Sequence, residues 1–145
     1  MRYLVAIDGS DASEAAVEHA CTLAERADGT VSLVHAVNPS VYSDPSSGTE
    51  QDQLIQSVEQ AEERGERLLS ETAESVRDRG LSVEETHLLY GEPTTVIPDL
   101  ATEEGYDGIV VGHRGLSDRY ERVLGSVAKG LIGRTGIPVT VVRSD

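Results

Sequence analysis

The chain has 145 residues and a formal net charge of −14, which is the size of one ordinary domain and enough to bury a core. Eleven arginines and one lysine stand against twenty-six acidic residues, so the composition excludes non-specific nucleic-acid binding, which needs clustered basic side chains. The single Cys21 excludes an intramolecular disulfide, and because the sequence has neither a membrane-length apolar run nor a signal peptide, we expect a soluble cytoplasmic protein.

Apolar runs typical of strands alternate with amphipathic stretches typical of helices from the start of the chain. Tyr3–Ile7 is a short apolar run and predicts a buried first strand. Asp11 and Glu14 have the spacing of a capping box, which predicts that a helix begins here and continues to about Ala27. Cys21 falls on the apolar stripe of this helix, where we expect it to be buried as a small hydrophobic residue.

The middle of the chain predicts a second strand, a loop, a long helix and a third strand. Val31–Val37 is rich in valine and leucine, and the polar segment 38–50 after it has the composition of a loop. Residues 51–79 predict a long amphipathic helix whose apolar stripe includes Ile55. The run 82–89 alternates more in character, which favours an edge strand.

Two further helices and two further strands complete the pattern. Residues 94–104 predict a short helix in which Pro98 fits awkwardly, and residues 107–112 predict a nearly all-apolar strand. A helix from about 126 to 134 and the strand Pro138–Arg143 follow. Five strands alternating with four helices predict one domain of the α/β class, a doubly wound parallel sheet with helices on both faces.

Spaced glycines follow the fourth predicted strand: Gly112, Gly115 and Gly125, the last directly before Ser126. Glycine lets the backbone approach a ligand closely, and backbone N–H groups at a helix start favour a phosphate. Residues 112–145 contain six basic and three acidic residues, whereas residues 1–111 contain six basic and twenty-three acidic residues. The stretch therefore predicts a phosphate cradle. The alternatives are that the glycines only form turns and that the basic residues form an interface or a solvated helix face.

A doubly wound sheet binds its ligand beyond the carboxyl ends of the strands, where the strand order reverses. If the first strand is central and the fourth lies beside it, segments 7–10 and 112–115 meet at that point. Asp8 could instead only cap or approach the first helix. His35 lies in an apolar strand and is interpreted as a core or interface histidine rather than a ligand. The other histidines share no metal-like spacing, so we predict no metal site built by the protein alone.

The whole chain resembles the universal stress protein family. The segments that carry the likeness are Val5–Ser10, Ile109–Ser117, Leu124–Ala128 and the closing strand Pro138–Arg143. The pattern Gly-x2-Gly-x9-Gly-Ser/Thr marks the ATP-binding branch of that family, and the glycine set described above matches it at all four positions. The chain departs from the family at His113, where a smaller residue is more usual.

The resemblance implies a Rossmann-like sheet of order 3-2-1-4-5, a homodimer formed through the last strand, and ATP as the ligand. Mg²⁺ could arrive on the phosphates, with water completing its coordination. The backbone of the second strand would meet the adenine, and the glycine loop would wrap the ribose and phosphates. The implied cofactor-binding residues are Ile7, Asp8, Ala36, Val37, Gly112, His113, Arg114, Gly115, Gly125, Ser126 and Val127.

We therefore expect a dimeric, ATP-binding stress-response regulator that uses nucleotide occupancy as a signal. The alternatives are a slow ATPase or nucleotidyl-transfer enzyme and a nucleotide-free dimerisation or adaptor module. The sequence lacks the Gly-x4-Gly-Lys-Ser/Thr phosphate loop, which argues against the enzyme. Strong acidity with scarce lysine favours a cytosol of high salt, where charge repulsion is screened.

Overall fold

The computed structural model describes residues 1–39, 51–113 and 126–143; for residues 51–54 and 126 it describes the backbone alone. The elements are β1 (Arg2–Ala6), α1 (Asp11–Ala27), β2 (Thr30–Val37), α2 (Gln51–Asp78), β3 (Val83–Tyr90), α3 (Pro93–Glu104), β4 (Gly108–His113), α4 (Ser126–Arg134) and β5 (Val139–Arg143). Each lies within one residue of its predicted bounds, and α3 continues through Pro98. Most of the predicted loop 38–50 lies outside the described residues.

The strands form one parallel sheet of order β3-β2-β1-β4-β5, as predicted. β1 is central, since Tyr3 pairs with Val31 of β2 on one side and with Gly108 of β4 on the other. β3 lies at one edge, which confirms the prediction from its alternating character. The strand order reverses between β1 and β4, so their carboxyl ends flank the switch point of the sheet.

Helices cover both faces of the sheet because adjacent strand residues point to opposite sides. Val5 belongs to the core under α1 and α2, whereas its neighbour Leu4 belongs to the core under α3 and α4. Cys21 is fully buried in the first of these cores, as predicted. Leu131 of α4 is fully buried in the second. Packing on both faces holds the sheet in place, and the carboxyl ends of its strands are thereby held in place as well.

The first turn of α1 corrects one prediction. Ser10 is the N-cap residue, with φ −78° and ψ 165°, and its hydroxyl accepts a hydrogen bond from the backbone N–H of Ser13 at 3.1 Å. The capping box predicted to begin at Asp11 is therefore wrong by one residue, because the Ser10 hydroxyl already satisfies the cap. Asp11 and Glu14 lie inside the first turn, where the helix dipole favours negative charge.

Ile55 lies on the apolar stripe of α2 but is exposed. α2 has 28 residues and a length of about 42 Å, whereas an eight-residue strand such as β2 spans about 26 Å. The helix is therefore longer than the strands it packs on. Leu69, Ala73 and Val76 in its carboxyl-terminal part are buried, while Ile55 near its start is 49% exposed. An apolar stripe of this length therefore does not bury all of its residues.

Arg2 ties the amino-terminal ends of the strands together. Its Nε donates to the carboxylate of Glu84, 2.9 and 3.1 Å from the two oxygens, and its guanidinium lies 4.4 Å from the centre of the Tyr106 ring. The Arg2 backbone N–H also donates to Asp107 at 2.7 Å. The hydrogen bond from Arg2 is the main reason that the pKa of Glu84 lies below its ordinary value.

The lowered pKa of Glu84 predicts a pH-dependent contribution to stability. A carboxyl with a lowered folded-state pKa stabilises the fold above its ordinary value of 4.5, and the contribution is lost as the pH falls through the folded-state value. The side chains of Arg2 and Glu84 are about one-third exposed, so solvent screening keeps the effect small. We expect the urea midpoints of wild type and Glu84→Gln to differ more at neutral pH than near about pH 3. A difference independent of pH would contradict the prediction.

Candidate functional site

A cleft of about 510 Å³ lies at the carboxyl ends of β1, β2 and β4. Its walls come from the turn between β1 and α1, the end of β2, the start of α3 and the end of β4, so it occupies the predicted switch point. The predicted site residues that line it are Ile7, Asp8, Ala36, Val37, Gly112 and Val127. Four separate parts of the sequence thus meet in one cleft.

The remaining predicted residues are less well placed or undescribed. His113 ends β4, where it is only 7% exposed, and it does not line the cleft. Arg114, Gly115 and Gly125 lie outside the described residues. Ser126 is the first residue of α4, of which Val127 reaches the cleft. The start of α4 is therefore at the cleft, as a phosphate cradle requires.

Side-chain hydrogen bonds shape the turn between β1 and α1. The Asp8 backbone N–H donates to the hydroxyl of Ser13 at 3.1 Å, and the Asp8 carboxylate accepts from the backbone N–H of Ser10 at 2.9 Å. Gly9 between them has φ +84°, in the left-handed region that favours glycine. Asp8 therefore shapes the turn into α1, which is the structural alternative considered for it in the sequence. It also lines the cleft.

His35 is held by a hydrogen bond, as expected of a satisfied histidine, and it also lines the cleft. Its Nδ1 lies 2.7 Å from the carbonyl oxygen of Ile7, and because a carbonyl only accepts, Nδ1 carries the hydrogen. The ring packs against α2 at Gly65, where a Cβ atom would lie 2.7 Å from the His35 ring and 2.9 Å from Leu88. Nothing in the sequence indicates this role for Gly65, because the residues it contacts are on other elements.

Gly112 serves the packing of β4 on α1 as well as lining the cleft. A Cβ atom at Gly112 would lie 2.5 Å from the carbonyl carbon of Ala12 and closer still to its oxygen. Any side chain at this position would collide with the backbone of α1. The sequence predicts a contact with the ligand or a turn for Gly112, and nothing in it shows the contact with Ala12.

The charged side chains on the described lining are both acidic. They are Asp8 and Glu92, and within the described part of the lining no lysine or arginine accompanies them. Glu92 is the N-cap residue of α3 but makes no side-chain cap hydrogen bond; its carboxylate accepts from the side-chain amide of Asn38 at 3.3 Å. The charged groups on the described lining are thus hydrogen-bond acceptors, which suit hydroxyl and amino groups of a ligand better than phosphate oxygens.

The family model described as the universal stress protein family matches residues 1–143. The chain belongs to the universal stress protein family. Universal stress protein YxiE of Bacillus subtilis is 33% identical to this chain over 146 residues, which cover 98% of each. This relationship agrees with the likeness seen in the sequence motifs.

Solved structures show the same fold. Universal stress protein UspA from Lactobacillus plantarum superposes with a TM-score of 0.84 at 24% identity, covering 99% of this chain and 97% of the other. The universal stress protein from Archaeoglobus fulgidus in complex with dAMP has a TM-score of 0.65 at 27% identity, covering 98% and 97%. A universal stress protein in complex with cAMP has a TM-score of 0.68 at 26% identity, covering 100% and 98%.

Two further observations apply to the described ranges 1–39, 51–113 and 126–143. None of their helices combines the length and the apolar character needed to cross a bilayer. In the same ranges, no three histidine, cysteine, aspartate or glutamate side chains are grouped closely enough to hold a metal ion.

Proposed function

We propose that this universal stress protein binds an adenine nucleotide, with ATP as the leading candidate, and that occupancy of the cleft acts as a signal rather than as a step in turnover. The observation that carries the proposal is the meeting of six predicted site residues, from four separate parts of the sequence, in one cleft at the switch point. The family members in complex with dAMP and cAMP support it.

The two ends of the cleft differ in chemistry. Ala36, Val37 and Pro93 give the end near β2 an apolar wall, which suits the flat ring of a nucleobase. The other end contains Gly112 and the start of α4 at Ser126, where backbone N–H groups and the helix dipole favour phosphate. We place the base near β2 and the phosphates near α4. A Mg²⁺ ion brought by ATP would draw its ligands mainly from the phosphates and from water.

ATP titration tests the proposal directly. The protein should first be freed of any co-purified ligand, whose mass identifies the natural occupant. We expect a micromolar dissociation constant for ATP by calorimetry and much weaker binding of CTP, which carries the same phosphates on a smaller base. The titration should span low to high KCl, because we also propose that the acidic surface is adapted to a salty cytosol. Absence of ATP binding across this series would refute the proposed function.

We also propose that β5 forms a homodimer interface. β5 is an edge strand that pairs with β4 on one side, and Val139, Val141 and Val142 are only half-buried. An exposed valine-rich edge is a template for pairing with another strand. Sedimentation of wild type and of Val141→Lys tests this: the wild type should sediment as a dimer and the variant as a monomer. A monomeric wild type would refute the dimer but leave the nucleotide proposal standing.

A further inference from the structure

We propose that Glu92, positioned by Asn38, selects an adenine ring over purines that carry a carbonyl oxygen at the 6-position. The inference rests on the proposed nucleotide site and names the side chain that would read its base. It concerns the end of the cleft near β2, away from the glycine set.

The backbone places Glu92 and Asn38 on the same lip of the cleft. Asn38 follows β2 directly, and Glu92 directly precedes α3. The backbone N–H of Gly91 donates to the carbonyl of Val37 at 2.9 Å, which joins the two segments. The side-chain amide of Asn38 then donates to the carboxylate of Glu92 at 3.3 Å, and both residues line the cleft.

Glu92 is not needed to cap α3. An N-cap side chain normally accepts from the backbone N–H groups of the first turn, but the Glu92 side chain makes no such bond. Its backbone carbonyl instead accepts from Thr95 and Val96, both at 2.9 Å. The carboxylate is directed toward Asn38 and the cleft. The start of α3 also carries the positive end of the helix dipole, to which an acidic side chain is suited.

The chemistry of a carboxylate makes this position selective. An ionised carboxylate only accepts hydrogen bonds, so it pairs with the 6-amino group of adenine. Hypoxanthine and guanine carry a carbonyl oxygen at that position, and two acceptors then face each other. A site built to bind an N–H group rejects the analogue that lacks it. Because Glu92 is exposed, water weakens the discrimination, and we expect about a tenfold preference rather than the larger values of closed sites.

Three nucleotides that differ only around the 6-position test the proposal: ATP, ITP and purine riboside triphosphate, which has hydrogen there. Wild type should bind ATP about tenfold more tightly than ITP, with the unsubstituted purine between them. Glu92→Gln should bring the ATP-to-ITP affinity ratio close to one, because an amide can present either its N–H or its carbonyl. Asn38→Ala should lower the ratio in the same direction, since the carboxylate loses the bond that positions it.

Glu103→Gln is the matched control. It removes the same charge from an exposed residue of the same helix that does not line the cleft, so its affinity ratio should equal that of the wild type. The inference is overturned if wild type binds ATP and ITP equally, if Glu92→Gln keeps the wild-type ratio, or if it weakens both nucleotides by the same factor. If wild type binds no purine nucleotide, the proposed function itself fails and the inference falls with it.

Discussion

Replacing Gly112 with alanine is expected to lower the free energy of unfolding by about 3 kcal/mol. The added methyl group would lie 2.5 Å from the carbonyl carbon of Ala12 and 2.9 Å from its Cβ atom. Backbone atoms cannot move aside as the end of a flexible side chain can. β4 and the start of α1 would have to separate, and this would loosen the core beneath α1 at Val110, which lies two residues earlier on the same face of β4.

Gly133→Ala is the matched control for this prediction. Gly133 lies in α4, and a Cβ atom there would meet nothing within 4 Å. Alanine favours a helix more than glycine does, so the variant should be as stable as wild type or up to about 1 kcal/mol more stable. Urea denaturation measures both variants. If Gly112→Ala has the same urea midpoint as wild type, β4 and α1 do not pack as closely as the structure shows.

The order and bounds of the elements could be predicted because their determinants are local. Each strand is a short apolar run such as Val31–Val37, and the helices have apolar stripes at the helical period. The polar turn residues between them mark the ends. The strand order came from the family resemblance and from the rules for parallel sheets, which leave few topologies open. These sources give the position of the cleft as well, since the switch point follows from the strand order.

The features that could not be predicted depend on contacts between residues distant in the sequence. Ser10 and Asp11 are both good cap residues, and only the backbone geometry decides that the Ser10 hydroxyl takes the cap. The periodicity that includes Ile55 continues past the end of the sheet, where the sequence cannot show that packing stops. Gly65 and Gly112 are glycines because other elements approach them. Sequence spacing contains no information about such approaches.

The position of Glu92 at the candidate site also could not be predicted from the sequence. A glutamate directly before Pro93 has the ordinary composition of a helix start, where acidic residues are common. Only the folded chain places its carboxylate beside Asn38 at the cleft. The position of Ala36 and Val37 at the cleft was easier to predict, because it follows from where β2 ends. A side chain that reads the base depends on where two loops meet.

The double variant Gly115→Val/Gly125→Val is expected to weaken ATP binding by at least about 100-fold, or about 2.7 kcal/mol. Both positions lie outside the described residues, so the prediction rests on the family pattern and on the start of α4 at the cleft. Branched side chains there would keep the backbone N–H groups away from the phosphates. Unlike Gly112, these glycines have no assigned role in packing, so stability and oligomeric state should remain those of the wild type.

Gly136→Val separates loss of the ligand from a general effect of valine for glycine. Gly136 is exposed, and a Cβ atom there would meet nothing within 4 Å, so this variant should bind ATP as wild type does. Calorimetry measures the affinities, and sedimentation measures the oligomeric state. If the double variant loses the wild-type assembly together with binding, the two glycines serve the fold and the phosphate cradle is wrong. If the double variant binds ATP as wild type does, the phosphates lie elsewhere.

The same double variant separates an enzyme from a signalling protein. ATP hydrolysis by wild type well above that of the double variant would favour an enzyme, because a protein that only signals by occupancy binds ATP without turning it over.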